Sequence, residues 1–294
     1  MNRQLRGSIY LFLTALIWGM AFSAQSEAAR HMGPFTFTAV RSLITLGALS
    51  LFSLLGRKNP APAPAAKAGS YIKVGALLGA ILFLGAVLQQ TGLAHTSAAK
   101  SGFITALYIV IVPIVGMFFG RRVSAMVWVG VALSLVGLGF LCLKRDFSVG
   151  FGDIVTLGGA CVFSLHILAV DRHAAGLSAI KLCAVQFATS GALALIAALL
   201  LETIRLSDLL ACWPSLLYVG VISGSIGYTL QIAGQRHTDP TLASLLMCLE
   251  SVFAAIGGWL LLGQTLLPKE MFGCTLMLAG CIVAQLPNRR RELA

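Results

Sequence analysis

Residues 88–96 read LQQTGLAHT, and residues 230–238 read LQIAGQRHT. The two strings share Leu, Gln, Gly, His and Thr in one register, 142 positions apart. That register continues without a gap: Leu107 meets Leu249, Val110 meets Val252, Ile114 meets Ile256 and Gly116 meets Gly258. Toward the N-terminus the offset drifts to 145, which pairs Trp18-Gly19 with Phe163-Ser164 and Val40-Arg41 with Val185-Gln186. Leu and Gly identities arise easily between unrelated apolar segments, whereas polar residues held in fixed register do not. The chain therefore reads as a tandem duplication, a feature that decides architecture before any local reading does.

What is duplicated spans a membrane. Of 294 residues, 58% are hydrophobic and only 11% charged, with mean hydropathy +0.90. A soluble domain carries about 25% charged residues, so a soluble globule is excluded, and so much apolar surface also excludes disorder. A span needs about 20 mostly apolar residues. Ten such runs follow one another: 8–28, 34–56, 71–94, 98–120, 123–143, 151–172, 178–202, 213–235, 241–262 and 268–286. The first is too long for a cleaved leader's apolar core and reads as a retained span. The longest connection, RKNPAPAPAAKAGS at 57–70, reads as a polyproline-like cytoplasmic loop.

The halves divide at 1–147 and 148–294, with five spans each. Because five is odd, the second copy enters the bilayer from the opposite side. The expected fold is an all-α polytopic membrane protein, ten transmembrane helices in two inverted five-helix repeats around a central cavity. Inverted repeats with cargo held near the midplane are the build of alternating-access carriers.

The 21 Lys and Arg residues set the expected orientation. With the N-terminus inside, fourteen fall on the inner side, among them Arg57-Lys58, Arg121-Arg122 and Arg289 to Arg291, against six outside. These counts take loops and span ends together, and Arg41, well inside span two, belongs to neither side. The imbalance places both termini in the cytoplasm, here of a bacterial inner membrane. The same grouping argues against nucleic acid despite the net charge of +11, because no cationic stripe with interleaved aromatics is present.

The seven cysteines sit almost wholly within apolar runs and lack metal-ligand spacing, so they read as reduced packing residues. No P-loop is present, and no cofactor or metal is called for. A membrane-embedded lipid-modifying enzyme would gather His, Asp, Glu or Ser at one membrane face; here such groups are scattered. A channel would need a charged or carbonyl-rich filter. The remaining partners are a small-molecule substrate and the bilayer, and ten spans can enclose a cavity in a monomer, with a homodimer left open.

Several stretches carry a family resemblance over nearly the whole chain: ALIWG at 15–19, AVRS at 39–42, SAAKSGFITALYIVIVPI at 97–114 and LASLLMCLESVFAAIGGWLLLG at 242–263. They resemble the drug/metabolite transporter superfamily, in particular ten-span proteins of two EamA-type repeats. The family pattern closes the last stretch with a second Glu after the Gly, where Gln264 stands here, so a role resting on that acid does not carry over. The resemblance implies a secondary carrier, often an exporter, of small metabolites such as amino acids and their derivatives. Broad drug or cation efflux, or metabolite uptake, are the alternatives within the class.

The residues themselves suggest a site. Glu250, mid-span, must face protein or a water-filled cavity; it can bind a substrate ammonium, exchange a proton against cargo, or serve only as a structural acid. Tyr108 is its repeat partner and offers a hydroxyl and an aromatic face. Trp18 and Phe22 lie one turn apart, as do Phe163 and His166, and together suit an apolar wall with one polar handle. Gln89, Gln231 and Tyr228 place polar groups in spans three and eight, where they either line a route or bond neighbouring helices. Arg41 and Lys100 read as structural charges, the first paired within the bundle and the second snorkelling to the interface. The cluster Asp171-Arg172-His173 reads as a solvated or gating group. Gly75/Gly79, Gly116/Gly120 and Gly220/Gly224 read as sites of close helix approach.

Overall fold

A computed structural model describes residues 3–55, 68–96, 98–142, 149–262 and 267–285. Among these residues there are helices and no strands. The first repeat supplies α1 (Arg3–Ala28), α2 (Pro34–Leu55), α3 (Ala68–His95), α4 (Ala98–Ala106), α5 (Tyr108–Phe118) and α6 (Ala125–Cys142). The second supplies α7 (Phe151–His173), α8 (Ala179–Leu201), α9 (Leu206–Ala211), α10 (Trp213–Leu217), a π-helical segment (Tyr218–Gly227), α11 (Tyr228–Gln235), α12 (Pro240–Met247), α13 (Glu250–Leu262) and α14 (Pro268–Gln285). Eight stretches are long and apolar enough to cross a bilayer. Ala125–Phe140 is a shorter apolar helix, and α14, with Lys269 and Glu270 in its first turn, completes ten spans.

The distribution of polarity is inverted relative to a soluble protein. Leu54, Ile72 and Leu200 are among many large apolar side chains on the outer surface, whereas Thr14, Ser42, Thr45, Gln186 and Ser190 are fully buried. Lipid accepts the first group, and only protein can satisfy the second.

Three expectations change in detail. Helix α3 begins at Ala68, so the last residues of the anticipated 57–70 loop are helical; the remainder of that loop, Lys144-Arg145, Gln264 and Arg289 to Arg291 lie outside the described residues. Spans four and nine are each divided, α4 from α5 at Leu107 and α12 from α13 at Cys248 and Leu249. The two breaks are repeat equivalents. Leu107 N–H donates to the Ile104 carbonyl at 3.2 Å and Leu249 N–H to the Leu246 carbonyl at 3.3 Å, so each turn tightens to an i to i+3 bond without unwinding. Pro113 sits inside α5, where it removes one backbone donor and crowds the carbonyl four residues earlier; its counterpart, Ala255, exerts no such strain.

Span eight contains a π-helical stretch instead of a regular helix. Widening a helix loosens its backbone bonds, and neighbouring helices answer the glycine carbonyls in this stretch. Thr45 Oγ1 donates to Gly220 at 2.8 Å, Cys183 Sγ to Gly224 at 3.8 Å and Thr14 Oγ1 to Gly227 at 3.3 Å.

The repeats meet copy against copy. Helix α2 packs on α8, α6 on α14, and the divided spans four and nine on each other. The α6–α14 seam is the closest. A Cβ on Gly130 would lie 2.6 Å from the Gly280 carbonyl oxygen, one on Gly280 would lie 2.6 Å from that of Gly130, and one on Gly137 would lie 2.6 Å from that of Gly273. These glycines are seven residues apart on each helix, so the search for four-residue spacing misses them. Of the expected pairs, Gly75/Gly79 and Gly220/Gly224 do abut α8 and α2 respectively. Gly116/Gly120 does not: nothing lies within 4 Å of a Cβ at Gly120, whose φ of 76° closes the turn after α5.

The two ends of the bundle are tied differently. At one, Glu202 caps the start of α2, accepting from Phe35 N–H, Thr36 N–H and Thr36 Oγ1 at 3.0, 2.7 and 2.6 Å. At the other, Arg121 of the first repeat pairs with Asp171 of the second, with Asp239 at 3.9 Å. Gly280→Leu should lower stability by about 1–3 kcal/mol by overpacking the seam, whereas Gly47→Ala, with nothing within 4 Å of the new Cβ, should leave it unchanged or higher. Thermal unfolding in detergent, followed by fluorescence-detected size exclusion, measures both.

Candidate functional site

The cavity between the repeats is built by side chains from seven of the ten spans. Span one brings Trp18, Phe22 and Gln25; span two Arg41; span three Gln89; span four Thr105 and Tyr108; span six Phe163, His166 and Ile167; span eight Ser223, Tyr228 and Gln231; and span nine Glu250. All eight residues named from sequence as substrate-binding candidates thus line one space. Counted together with its opening, this space measures about 530 Å³, and little of it is wide enough for a water molecule. The space is a set of connected clefts, not an open chamber.

Its symmetry follows from the duplication. Gln89 and Gln231, Tyr108 and Glu250, and Trp18 and Phe163 are repeat equivalents, and all six line the space. At the middle, the Tyr108 hydroxyl donates to Glu250 Oε1 at 3.0 Å, and both residues are buried. Each opens the second half of a divided span, α5 and α13. The helix N-termini therefore converge at this contact, where their partial positive ends favour a carboxylate.

Tyr228 anchors the opposite wall. Its ring lies 4.7 Å from Trp18, 5.1 Å from Phe187 and 6.3 Å from His166, centroid to centroid. His166 shares a hydrogen bond at 3.3 Å with Gln186 Oε1 on α8. Gln89 Nε2 donates to Thr105 Oγ1 at 3.2 Å. Gln90 takes no part in the lining and donates instead to the Gln25 carbonyl at 3.1 Å.

Two charge assignments need separate treatment. Lys100 lies in α4, but its side chain falls outside the described residues. Arg41 was expected to have a counter-charge. It is buried, lines the cavity, and has neither an ion pair nor a hydrogen bond among the described residues; its nearest specific contact is the Phe37 ring, 5.5 Å from Cζ. Asp171, by contrast, pairs with Arg121, while Arg172 and His173 are exposed.

Sequence reading passes over Gln25, Thr105, Ile167 and Ser223 as lining. Gln25 was within reach, since it follows Phe22 by three residues and Trp18 by seven on one helix face. Ser223 was not, because the π-helical stretch resets the face that span eight presents. Among the described residues no three His, Cys, Asp or Glu side chains gather to hold a metal.

A ten-span bundle of inverted repeats around a midplane cavity has the build of a membrane carrier. The chain belongs to the EamA-like transporter family, whose model matches residues 5–143 and again 150–285. It is 31% identical to an "uncharacterized transporter" of Archaeoglobus fulgidus over 97% of this chain and 87% of that one. It is 28% identical to the threonine/homoserine exporter RhtA of Escherichia coli over 60% of each chain. It is also 25% identical to an S-adenosylmethionine/S-adenosylhomocysteine transporter of Chlamydia trachomatis, over 92% of this chain and 86% of that one. A crystal structure with 21% identity superposes at a TM-score of 0.78 over 97% of this chain and 98% of the other, which extends the likeness to the fold.

The Tyr108–Glu250 contact is open to direct measurement. A double-mutant cycle over Tyr108→Phe and Glu250→Gln should return a coupling of about 1 kcal/mol in detergent unfolding, the net worth of one buried hydrogen bond. A coupling indistinguishable from zero would mean that the two groups do not interact.

Proposed function

We propose that this protein is a secondary carrier that exports a small amphipathic metabolite, in first place an amino acid or a derivative of one. Cargo enters the cavity between the repeats, and a rocking of one half against the other exposes it to the opposite side. The observation that carries this reading is the shared cavity, to which both repeats contribute equivalent residues at the level of Tyr108 and Glu250. Trp18, Phe22, Phe163 and Tyr228 suit the apolar part of such a cargo, and Gln89, Gln231 and His166 its polar edge. Glu250 takes the cargo ammonium, or carries a proton in exchange for it.

The family's named members support the cargo class. Threonine, homoserine, S-adenosylmethionine and S-adenosylhomocysteine differ greatly in size, yet all bear an α-amino acid head group. The narrowness of the present clefts fits one state of a cycle in which walls part before a solute of that size is held. The positive-inside imbalance supports a bacterial inner-membrane location with both termini in the cytoplasm.

Counterflow in proteoliposomes loaded with an amino acid panel tests the reading. Wild-type protein should exchange at least one α-amino acid, and Glu250→Gln should reduce exchange to background while remaining monodisperse on size exclusion. Unchanged exchange by that variant would remove Glu250 from the mechanism.

A further inference from the structure

Arg41 presents an unusual arrangement. It sits well inside α2, 6% exposed, with Nε and Nη2 both buried and without a hydrogen-bond partner. The one acid that lines the cavity with it, Glu250, accepts from Tyr108 instead. An unpaired cation at membrane depth is costly and is ordinarily paired or set against a functional pathway.

The geometry of the free groups narrows what could answer them. Nε–H and Nη2–H lie along one edge of the planar guanidinium, the edge that takes both oxygens of a carboxylate in two parallel hydrogen bonds. That edge belongs to a residue of the cavity lining, alongside Trp18, whose indole Nε1–H also lacks an acceptor. Across the cavity, the second repeat contributes the acid Glu250 and an unpartnered acceptor, Gln231 Oε1. The repeat equivalent of Arg41 is Gln186, a neutral amide whose Oε1 is engaged by His166. The duplicated scaffold has therefore diverged into a cationic wall on one repeat and an anionic one on the other.

From this we infer that Arg41 is the carboxylate anchor of the cavity, so that the carrier takes zwitterions, with the cargo carboxylate on Arg41 and its ammonium toward Glu250. The inference rests on the proposed carrier function and specifies the head group that the cavity selects. Arg41 thereby changes from a presumed structural charge to a specificity-determining residue, and the cargo supplies the counter-charge that the protein withholds.

Matched pairs that differ only in the carboxylate decide the matter: L-threonine against L-threoninol, and S-adenosylmethionine against its decarboxylated amine, each by counterflow in proteoliposomes. Wild-type protein should favour the carboxylate member of at least one pair by about thirtyfold or more, the lower end of what truncating a buried, hydrogen-bonded charge pair costs. Arg41→Gln should abolish that preference, and Arg41→Lys, which keeps the charge but not the bidentate edge, should retain part of it. If wild-type protein moves both members of a pair equally, or if Arg41→Gln keeps the preference, the anchor is overturned while the carrier reading stands. If no member of either pair is moved, both fail for this cargo class.

Folding gives an independent readout. Because Arg41 has no ion pair or hydrogen bond to lose among the described residues, only its contact with the Phe37 ring, unliganded Arg41→Gln and Arg41→Met should melt close to or above the wild-type temperature. A clearly lower melting temperature in both variants would assign Arg41 to structure and overturn the inference.

Discussion

A bilayer interior supplies no water to a polar atom, so each amide, hydroxyl and charge within it must be answered by the protein or by whatever the protein binds. Much of this architecture answers that constraint. The glycine carbonyls of the π-helical stretch receive Thr45, Cys183 and Thr14 from three different helices. Ser42 and Thr45 also return their hydroxyls to carbonyls four residues back, at 2.6 and 2.8 Å. Among the buried polar groups that stay unanswered, those of Arg41, Trp18 (Nε1) and Gln231 (Oε1) belong to residues of the same central space.

Duplication explains why the site is symmetric in position and asymmetric in chemistry. Two copies threaded in opposite senses bring equivalent residues to the midplane, which fixes where Tyr108 and Glu250 meet and sets Gln89 and Gln231 on one space. Once the backbone is settled in this way, side chains at paired positions can diverge without disturbing it. Tyr against Glu and Arg against Gln are two such divergences, and both concern charge.

How much of this was legible in the sequence depended on how sparse the signal was. Polar residues are rare in such a chain, so Gln, His and Thr recurring in register stood out and fixed the repeat, the span count and most of the cavity wall. Helix breaks at Leu107 and Leu249 left little trace, since both residues are ordinary helix formers and only Pro113 marks one of the two sites. The α6–α14 seam was missed because glycines seven apart satisfy two-turn contact between antiparallel helices, whereas a four-residue rule describes single-turn contact. Arg41 reads from sequence as a charge that needs an answer, and nothing in the sequence shows that its Nε and Nη2 stay open beside the cavity.

The glycine seam has a further mechanical consequence. A Cβ at Gly130, Gly137 or Gly280 would lie 2.6 Å from a carbonyl oxygen of the facing helix, so the two main chains come close to direct contact. Neither helix contributes a residue to the cavity wall. To slide, α6 and α14 would have to climb over each other's carbonyl oxygens. The pair thus resists sliding and stands outside the cavity wall, so a change in cavity shape falls to the helices that surround it.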